Sequence, residues 1–325
     1  MGNKDSPASF PSKQRIIFMG TPQFAVPTLT FLINKGYEIL AVVTQPDRPK
    51  GRGQRLMPSP VKLVALENDL QLLQPEKLDN RFLDVVISLK PDLFVVVAFG
   101  LIIPGKVLNA ARWGGINIHA SLLPKYRGSA PIQWAIINNE KKTGLTTMFM
   151  DEGMDTGPIL MQQELDILEG ETAGRLHDRL SFLAPGLLIK TLEGLAQGTI
   201  EGKEQDESLA SYTSKLKKEQ GLINWSWPAE RICGLIRGLD PWPGAYTCYK
   251  EKTLKLFGCF IYSDRKAFST PGRIKGLTEK GLEIETGKGI IIVKEVQAPG
   301  KKRLPAKEFL KGSKLKTGDI LGERE

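Results

Sequence analysis

Cysteine and histidine are scarce, with three and two copies in 325 residues. Cys233, Cys248 and Cys259 form no C-x-x-C pair, are odd in number and lie far along the chain from His119 and His177. That spacing excludes a cysteine-based metal site, and it fits reduced thiols in a cytoplasmic setting; no metal is expected. Long apolar runs are also missing. None approaches the roughly 18 residues needed to cross a bilayer, and the polar first fourteen residues lack the apolar stretch of a secretory signal, so a soluble chain with no membrane partner is expected. The first strand-to-helix turn, MGTP at 19–22, has one glycine and a proline where a dinucleotide site carries G-x-G-x-x-G. An NAD-dependent dehydrogenase is thereby disfavoured. No internal repeat or low-complexity tract is found.

What is present is ordinary globular composition, 41% hydrophobic and 25% charged, in a chain longer than the roughly 250–300 residues at which single cores divide. Two domains are the expectation. The net charge of +9 is unevenly spread: 22 Lys and Arg stand against 23 Asp and Glu up to residue 210, and 23 against 13 after it. Such a basic tail suits a polyphosphate partner or a lysine-rich solvated surface equally well.

Apolar runs at 15–19 and 37–43 flank a helix-like stretch, giving a β-α-β opening. Residues 93–98 are apolar on both alternating faces, as in a strand covered on both sides, and 115–120 is another short strand. Leu176, Leu180, Leu183, Leu187 and Leu195 recur at helical spacing between Thr172, a candidate N-cap, and Gly198, a stop. The acidic stretch 201–207 has too little apolar content to build core and reads as a linker. Beyond it lie a helix at 229–237 and short strands at 245–249, 254–262, 281–285 and 290–296. The predicted fold class is α/β, an open and mostly parallel Rossmann-like sheet followed by a smaller β-barrel of OB-like type. The domains are placed at 1–207 and 208–325.

Within GINIH at 115–119 the period of two sets Asn117 and His119 on one face and Ile116 and Ile118 on the other. If the strand's C-terminal end is the open end of the sheet, the pair reaches the crevice where such folds bind ligands. A Gly- and Pro-bounded turn at 150–158 can bring Asp155 to the same place. From spacing alone, a satisfied core histidine is the better reading of His119 and a turn cap the better reading of Asp155.

Several blocks together carry a resemblance. NIH at 117–119, SLLP at 121–124 with RG at 127–128, and DEGMDTG at 151–157 resemble the folate-dependent formyltransferases. FMGTP at 18–22, TQPDRP at 44–49, GRG at 51–53, LMPSP at 56–60, VAFG at 97–100 and PWP at 241–243 are similar to the methionyl-tRNA formyltransferase branch of that family. The match runs from about Arg15 to Leu310.

The resemblance implies transfer of a formyl group from 10-formyltetrahydrofolate to the free amino group of methionyl initiator tRNA, with those two as partners and the enzyme a monomer. As an amine attacks a formyl carbon, negative charge grows on the formyl oxygen and needs fixed donors. By resemblance Asn117 and His119 supply them, while Asp155 orients the imidazole and helps relay the amine proton. Ser121, Leu122, Leu123 and Pro124 match the folate-contacting stretch. The basic insertion with Arg48, Lys50, Arg52 and Arg55 matches the segment that reads the acceptor stem, Arg52 being its key arginine. The tail's basic groups, among them Lys215, Lys217, Lys218, Lys301, Lys302, Arg303, Lys311, Lys314 and Lys316, are expected to track RNA phosphates. Two rivals remain: a formyltransferase acting on an amino sugar nucleotide, and a catalytically idle RNA-binding relative.

Overall fold

The apolar run at 16–19 forms the inner part of a strand, β1 (Arg15–Gly20), in which Ile16, Ile17, Phe18 and Met19 are fully buried. The structure is a computed structural model that describes residues 10–11, 13–50, 55–250, 252–313 and 315–322. β1 leads through helix α1 (Val26–Asn34) to β2 (Glu38–Val43), which pairs parallel to it. Helix α2 (Pro60–Glu67) starts where Ser59 accepts a hydrogen bond from the Lys62 amide and a proline occupies the first turn. It returns the chain to a two-residue strand, β3 (Leu72–Leu73), on the outer side of β2.

Helix α3 (Asn80–Leu89) is capped by Asp79, whose carboxylate accepts from the Arg81 and Phe82 amides, and it ends at Lys90 in a left-handed conformation. The chain then crosses to the other side of β1 as β4 (Leu93–Val97), followed by β5 (Gly115–His119). Val95 and Val97 are fully buried, and the continuous LFVVV run is the signature of a parallel strand covered on both faces. β6 (Lys142–Phe149) pairs antiparallel to β5. With β7 (Ile159–Asp166) the sheet order is β7-β6-β5-β4-β1-β2-β3. Strand order reverses between β1 and β4, and the C-terminal ends around that switch point are where open α/β sheets bind ligands. Helix α4 (Ala173–Ala196) follows, beginning directly after Thr172 and ending two residues before Gly198, which is in the left-handed region. Among the described residues no helix is long and apolar enough to cross a membrane.

The described residues divide into two compact units. One takes the chain up to Gly128, Gly144–Leu165 and His177–Tyr212. The other takes Ser129–Thr143, Asp166–Leu176 and everything from Thr213 onward. These are not the contiguous stretches 1–207 and 208–325 expected from the sequence. Ala130, Trp134 and Ile137 of the first excursion pack onto the second unit's apolar core, a grouping of distant residues that a linear reading has no means to detect.

The second unit is built on helix α5 (Ala229–Gly238) and an antiparallel sheet of β8 (Tyr246–Tyr249), β9 (Lys252–Ala267), β10 (Ile274–Thr278), β11 (Gly281–Glu285) and β12 (Lys288–Gln297). The order is β8-β9-β12-β11-β10, with Leu304–Pro305 added to β12. β10 escaped the sequence reading because its IKGLT pattern is short and interrupted by glycine. Ile232, Ile236 and Leu239 from the helix region meet Leu256, Ile284, Ile291 and Val293 from the sheet in one core. Cys233 and Cys259 are joined there as a disulfide, with Cα atoms 5.4 Å apart, and Cys248 is free. The expectation of three reduced thiols is corrected for that pair. The helix and the long strand bring together two cysteines 26 residues apart, a separation with no sequence signature.

Ile116 is fully buried on the face of β5 opposite Asn117 and His119. Ile116→Ala should therefore destabilise the protein by about 3 kcal/mol through lost apolar transfer and a residual cavity, read as a lower urea midpoint at unchanged slope. A loss below about 1 kcal/mol would contradict this placement.

Candidate active site

The polar face of β5 lies near the middle of the sheet. Asn117 stands between Val96 of β4 and Met148 of β6, and His119 lies opposite Thr146. Asn117 is 9% exposed and His119 7%, so both side chains are drawn out of water and need partners. Asp155 meets them there. Its Oδ1 accepts from Asn117 Nδ2 at 3.3 Å, its Oδ2 accepts from the Gly128 amide at 2.8 Å, and Oδ2 lies 3.5 Å from His119 Nδ1. The trio expected from two separated stretches is thus assembled in one cluster.

Asp155 is delivered by a turn rather than a strand. Asp151 builds that turn by accepting from the Gly153 amide at 3.0 Å and from Thr156 Oγ1 at 2.8 Å. Asp155 itself has φ +57°, uncommon for a residue with a side chain, and such a conformation persists only where neighbours hold it. Gly157 runs so close to the Phe149 carbonyl that a Cβ there would overlap the oxygen, which is why the turn needs glycine at that position.

His119 Nε2 lies 2.9 Å from the Tyr126 carbonyl oxygen. A carbonyl can only accept, so Nε2 carries a hydrogen and donates. Nδ1 then faces the Asp155 carboxylate, and a proton arriving on Nδ1 has an acceptor waiting. Asn117 has two N–H groups. One points to Asp155, which leaves the second for an incoming oxygen.

The loop after β5 is organised by Thr146, which the sequence reading did not single out. Its Oγ1 accepts from the Leu123 amide at 3.1 Å and from Gln162 Nε2 at 3.0 Å, and donates to the Ser121 carbonyl at 2.7 Å. Gln162 also donates to the Leu123 carbonyl at 2.8 Å, and Ser121 Oγ donates to the Lys125 carbonyl at 2.6 Å. The Leu123 backbone N–H and carbonyl are therefore both bonded within the protein. Leu122 and Pro124 remain half-buried, whereas Ser121 and Leu123 are buried. Arg127 is missing from the sequence-derived site too. Fully buried, it pairs with Glu207 at 2.7 Å and bonds Gln205 and Tyr212, and its guanidinium holds the Glu207 carboxyl below the ordinary range. Nothing in the local pattern flags Thr146, Gln162 or Gln205, because each acts through a partner remote in sequence.

The basic insertion lies elsewhere. Arg48–Lys50 and Arg55–Met57 pair as an antiparallel hairpin in the connection after β2, and the sheet order sets β2 three strands from β5. Arg48 is exposed. Arg52 lies outside the described residues, as do the side chains of Lys50 and Arg55. Asp47, the one acid of the segment, is taken by Lys62 Nζ at 2.7 Å and Gln74 Nε2 at 2.9 Å, and the Lys62 hydrogen bond holds its carboxyl below the usual range. A cavity of about 530 Å³ lined by residues from Leu73 to Val85 lies at the β3 edge, away from the trio.

In the second unit Lys215, Lys217, Lys218, Lys301, Lys302, Lys311 and Lys316 are exposed, and Lys314 lies outside the described residues. Arg303 does not belong with them. It binds Asp240 at 2.9 and 3.1 Å and Glu295 at 2.7 Å, and stacks over Phe257 at 4.1 Å, so it is a structural cation. Trp225 is buried with its Nε1 donating to Thr247 Oγ1, so it packs within the second unit.

Residues 14–192 match the formyl transferase family, and residues 215–314 match the formyl transferase C-terminal domain. A methionyl-tRNA formyltransferase of Citrifermentans bemidjiense is 48% identical over 312 residues, covering 96% of this chain and 97% of that protein. The N-formyltransferase of Helicobacter canadensis, solved in complex with folinic acid and dTDP-3-aminofucose, has a TM-score of 0.66 at 21% identity, covering 87% of this chain and 99% of that one. HypX from Aquifex aeolicus, solved in complex with tetrahydrofolic acid, has a TM-score of 0.62 at 18% identity and covers 96% of this chain; 51% of HypX is matched, so this chain spans about half its length. Those two likenesses concern the fold. Matched over both its parts and nearly half identical to a relative along almost its whole length, the chain belongs to the formyl transferase family.

Proposed function

We propose that this protein transfers a formyl group from 10-formyltetrahydrofolate to the free amino group of methionyl initiator tRNA, in the cytoplasm, at the Asn117, His119 and Asp155 cluster. The observation that carries this reading is the meeting of an amide, an imidazole and a carboxylate at the C-terminal end of a central strand. The folate donor supplies an activated formyl carbon. The residues fit such a group: a polar cluster for the formyl end, with half-buried Leu122 and Pro124 in the loop next to it for a flat, partly apolar ring.

The chain's own part is electrostatic and positional. Asn117 offers its second N–H, and His119 its Nε2 hydrogen once that turns from the Tyr126 carbonyl, to the oxygen on which charge accumulates as the amine attacks. Asp155 lies where it can hold the proton that leaves the amine, with His119 Nδ1 3.5 Å away to share it. The backbone amide of Gly128 keeps the carboxylate oriented. As the bond between the formyl carbon and N10 of the donor breaks, N10 takes up that proton and tetrahydrofolate leaves, so no covalent bond to the enzyme is needed.

The acceptor is inferred from charge as well as family. The basic insertion of the sequence carries Arg48, Lys50, Arg52 and Arg55, with Asp47 already committed to Lys62. The second unit presents exposed lysines suited to a phosphate backbone. An amino sugar nucleotide would leave that excess of positive charge without a use.

His119→Ala and Asp155→Ala should each lower the single-turnover rate of formyl transfer by about 10²- to 10³-fold while donor binding survives. Near-normal transfer in either variant would refute the assignment. Arg52→Ala should reduce the preference for initiator over other methionylated tRNA and spare donor binding. Affinity for the tRNA should fall with salt at a log–log slope of roughly 0.7 to 0.9 per phosphate contact. Unchanged selectivity, or affinity indifferent to salt, would point to a smaller acceptor.

A further inference from the structure

The acidic stretch 201–207 reads as a linker in sequence, yet Gln205 is 9% exposed and makes four hydrogen bonds. Its Oε1 accepts from Arg127 Nε at 3.1 Å and Nη2 at 2.9 Å. Its Nε2 donates to the Asp155 carbonyl at 2.9 Å and to the Gly157 carbonyl at 2.8 Å. The orientation of the amide is fixed by chemistry, because a guanidinium can only donate and backbone carbonyls can only accept. Glutamine meets both demands at once.

Arg127 is in turn immobilised. Nη1 and Nη2 bind Glu207 at 3.0 and 2.7 Å, Nη1 also binds the Tyr212 hydroxyl at 2.8 Å, and the Arg127 amide donates to the Ser211 carbonyl at 2.8 Å. The next residue, Gly128, donates its amide to Asp155 Oδ2, and the preceding one, Tyr126, offers the carbonyl that receives His119 Nε2. Asp155 is thus held from both ends: its carboxylate by Gly128, its backbone by Gln205, and both of these by Arg127. A residue at φ +57° on a turn has no strand pairing of its own to fix it, so this clamp supplies the constraint.

We propose that Gln205 is a positioning residue for the reaction, setting where the Asp155 carboxylate stands relative to His119 and Asn117 by holding the Asp155 and Gly157 carbonyls. This rests on the role given to Asp155 under the proposed function. A displacement near 1 Å at a reacting group costs on the order of 10²-fold in rate. Loss of one clamp short of full release should therefore cost about 10-fold or more.

Gln205→Glu separates positioning from mere support of Arg127. A carboxylate still accepts from the guanidinium but can no longer donate to the two carbonyls, which it repels. Single-turnover formyl transfer and donor KM would be measured for wild type, Gln205→Glu, Asp155→Ala and the double variant, with thermal melting as a folding check. Gln205→Glu is expected to keep a single cooperative melt, lowered by several degrees, to keep donor KM within about twofold, and to lower kcat about 10-fold or more, with that loss vanishing in the Asp155→Ala background. If glutamate unfolds the chain, Gln205→Met takes its place in the same cycle. Because that change also removes the acceptor toward Arg127, Glu207→Gln, which weakens the hold on Arg127 while leaving both Gln205 donors, is run beside it and is expected to keep kcat within about threefold. A wild-type kcat for the Gln205 variant beside a slow Asp155→Ala overturns this inference alone, as does a loss that persists undiminished in the double variant. A wild-type rate in Asp155→Ala removes the catalytic reading and this inference together.

Discussion

Two polar side chains project from a strand that is otherwise dry on both faces. Asn117 and His119 are almost completely buried, and a buried amide or imidazole without partners costs on the order of 1–3 kcal/mol each. The partners come from outside the strand: a carboxylate on the turn after β6, a carbonyl at Tyr126 and an amide at Gly128. The loop after β5 and the turn after β6 are consequently bound to the sheet's polar centre. Thr146, directly across from His119, extends the same logic by bonding Ser121, Leu123 and Gln162.

A second layer of constraint surrounds the first. A fully buried arginine is tolerable only when its donors are satisfied, and Arg127 finds Gln205, Glu207 and Tyr212 along one short stretch of chain. The result ties residues 205–212 to the loop carrying Tyr126 and Gly128. What composition marks as a solvated connector is thus a strap across the polar cluster. Its acidic character has a structural use in Glu207, which pairs with the buried cation.

The positive charges of the chain fall into two kinds. Arg303 is bound to two carboxylates and stacked on a ring, and Arg127 is sealed inside. The exposed lysines of the second unit and Arg48 on the hairpin face solvent and suit a long-range field of the sort that draws a polyanion. Formal charge counts the two kinds alike, although only the second can act on a partner.

Short-range periodicity was enough to establish the alternating strands, the pairing of Asn117 with His119 on one face, and the helix from Ala173 to Ala196, because each follows from backbone geometry within a few residues. The ordered blocks also identified the family before any coordinates. Tertiary structure alone decided that Asp155 meets the pair, that Gln205 belongs to the site, that Cys233 bonds Cys259, and that two excursions leave the first unit for the second. Each of those joins residues through space across at least two dozen positions, and a local pattern carries no record of which distant partner satisfies a buried group.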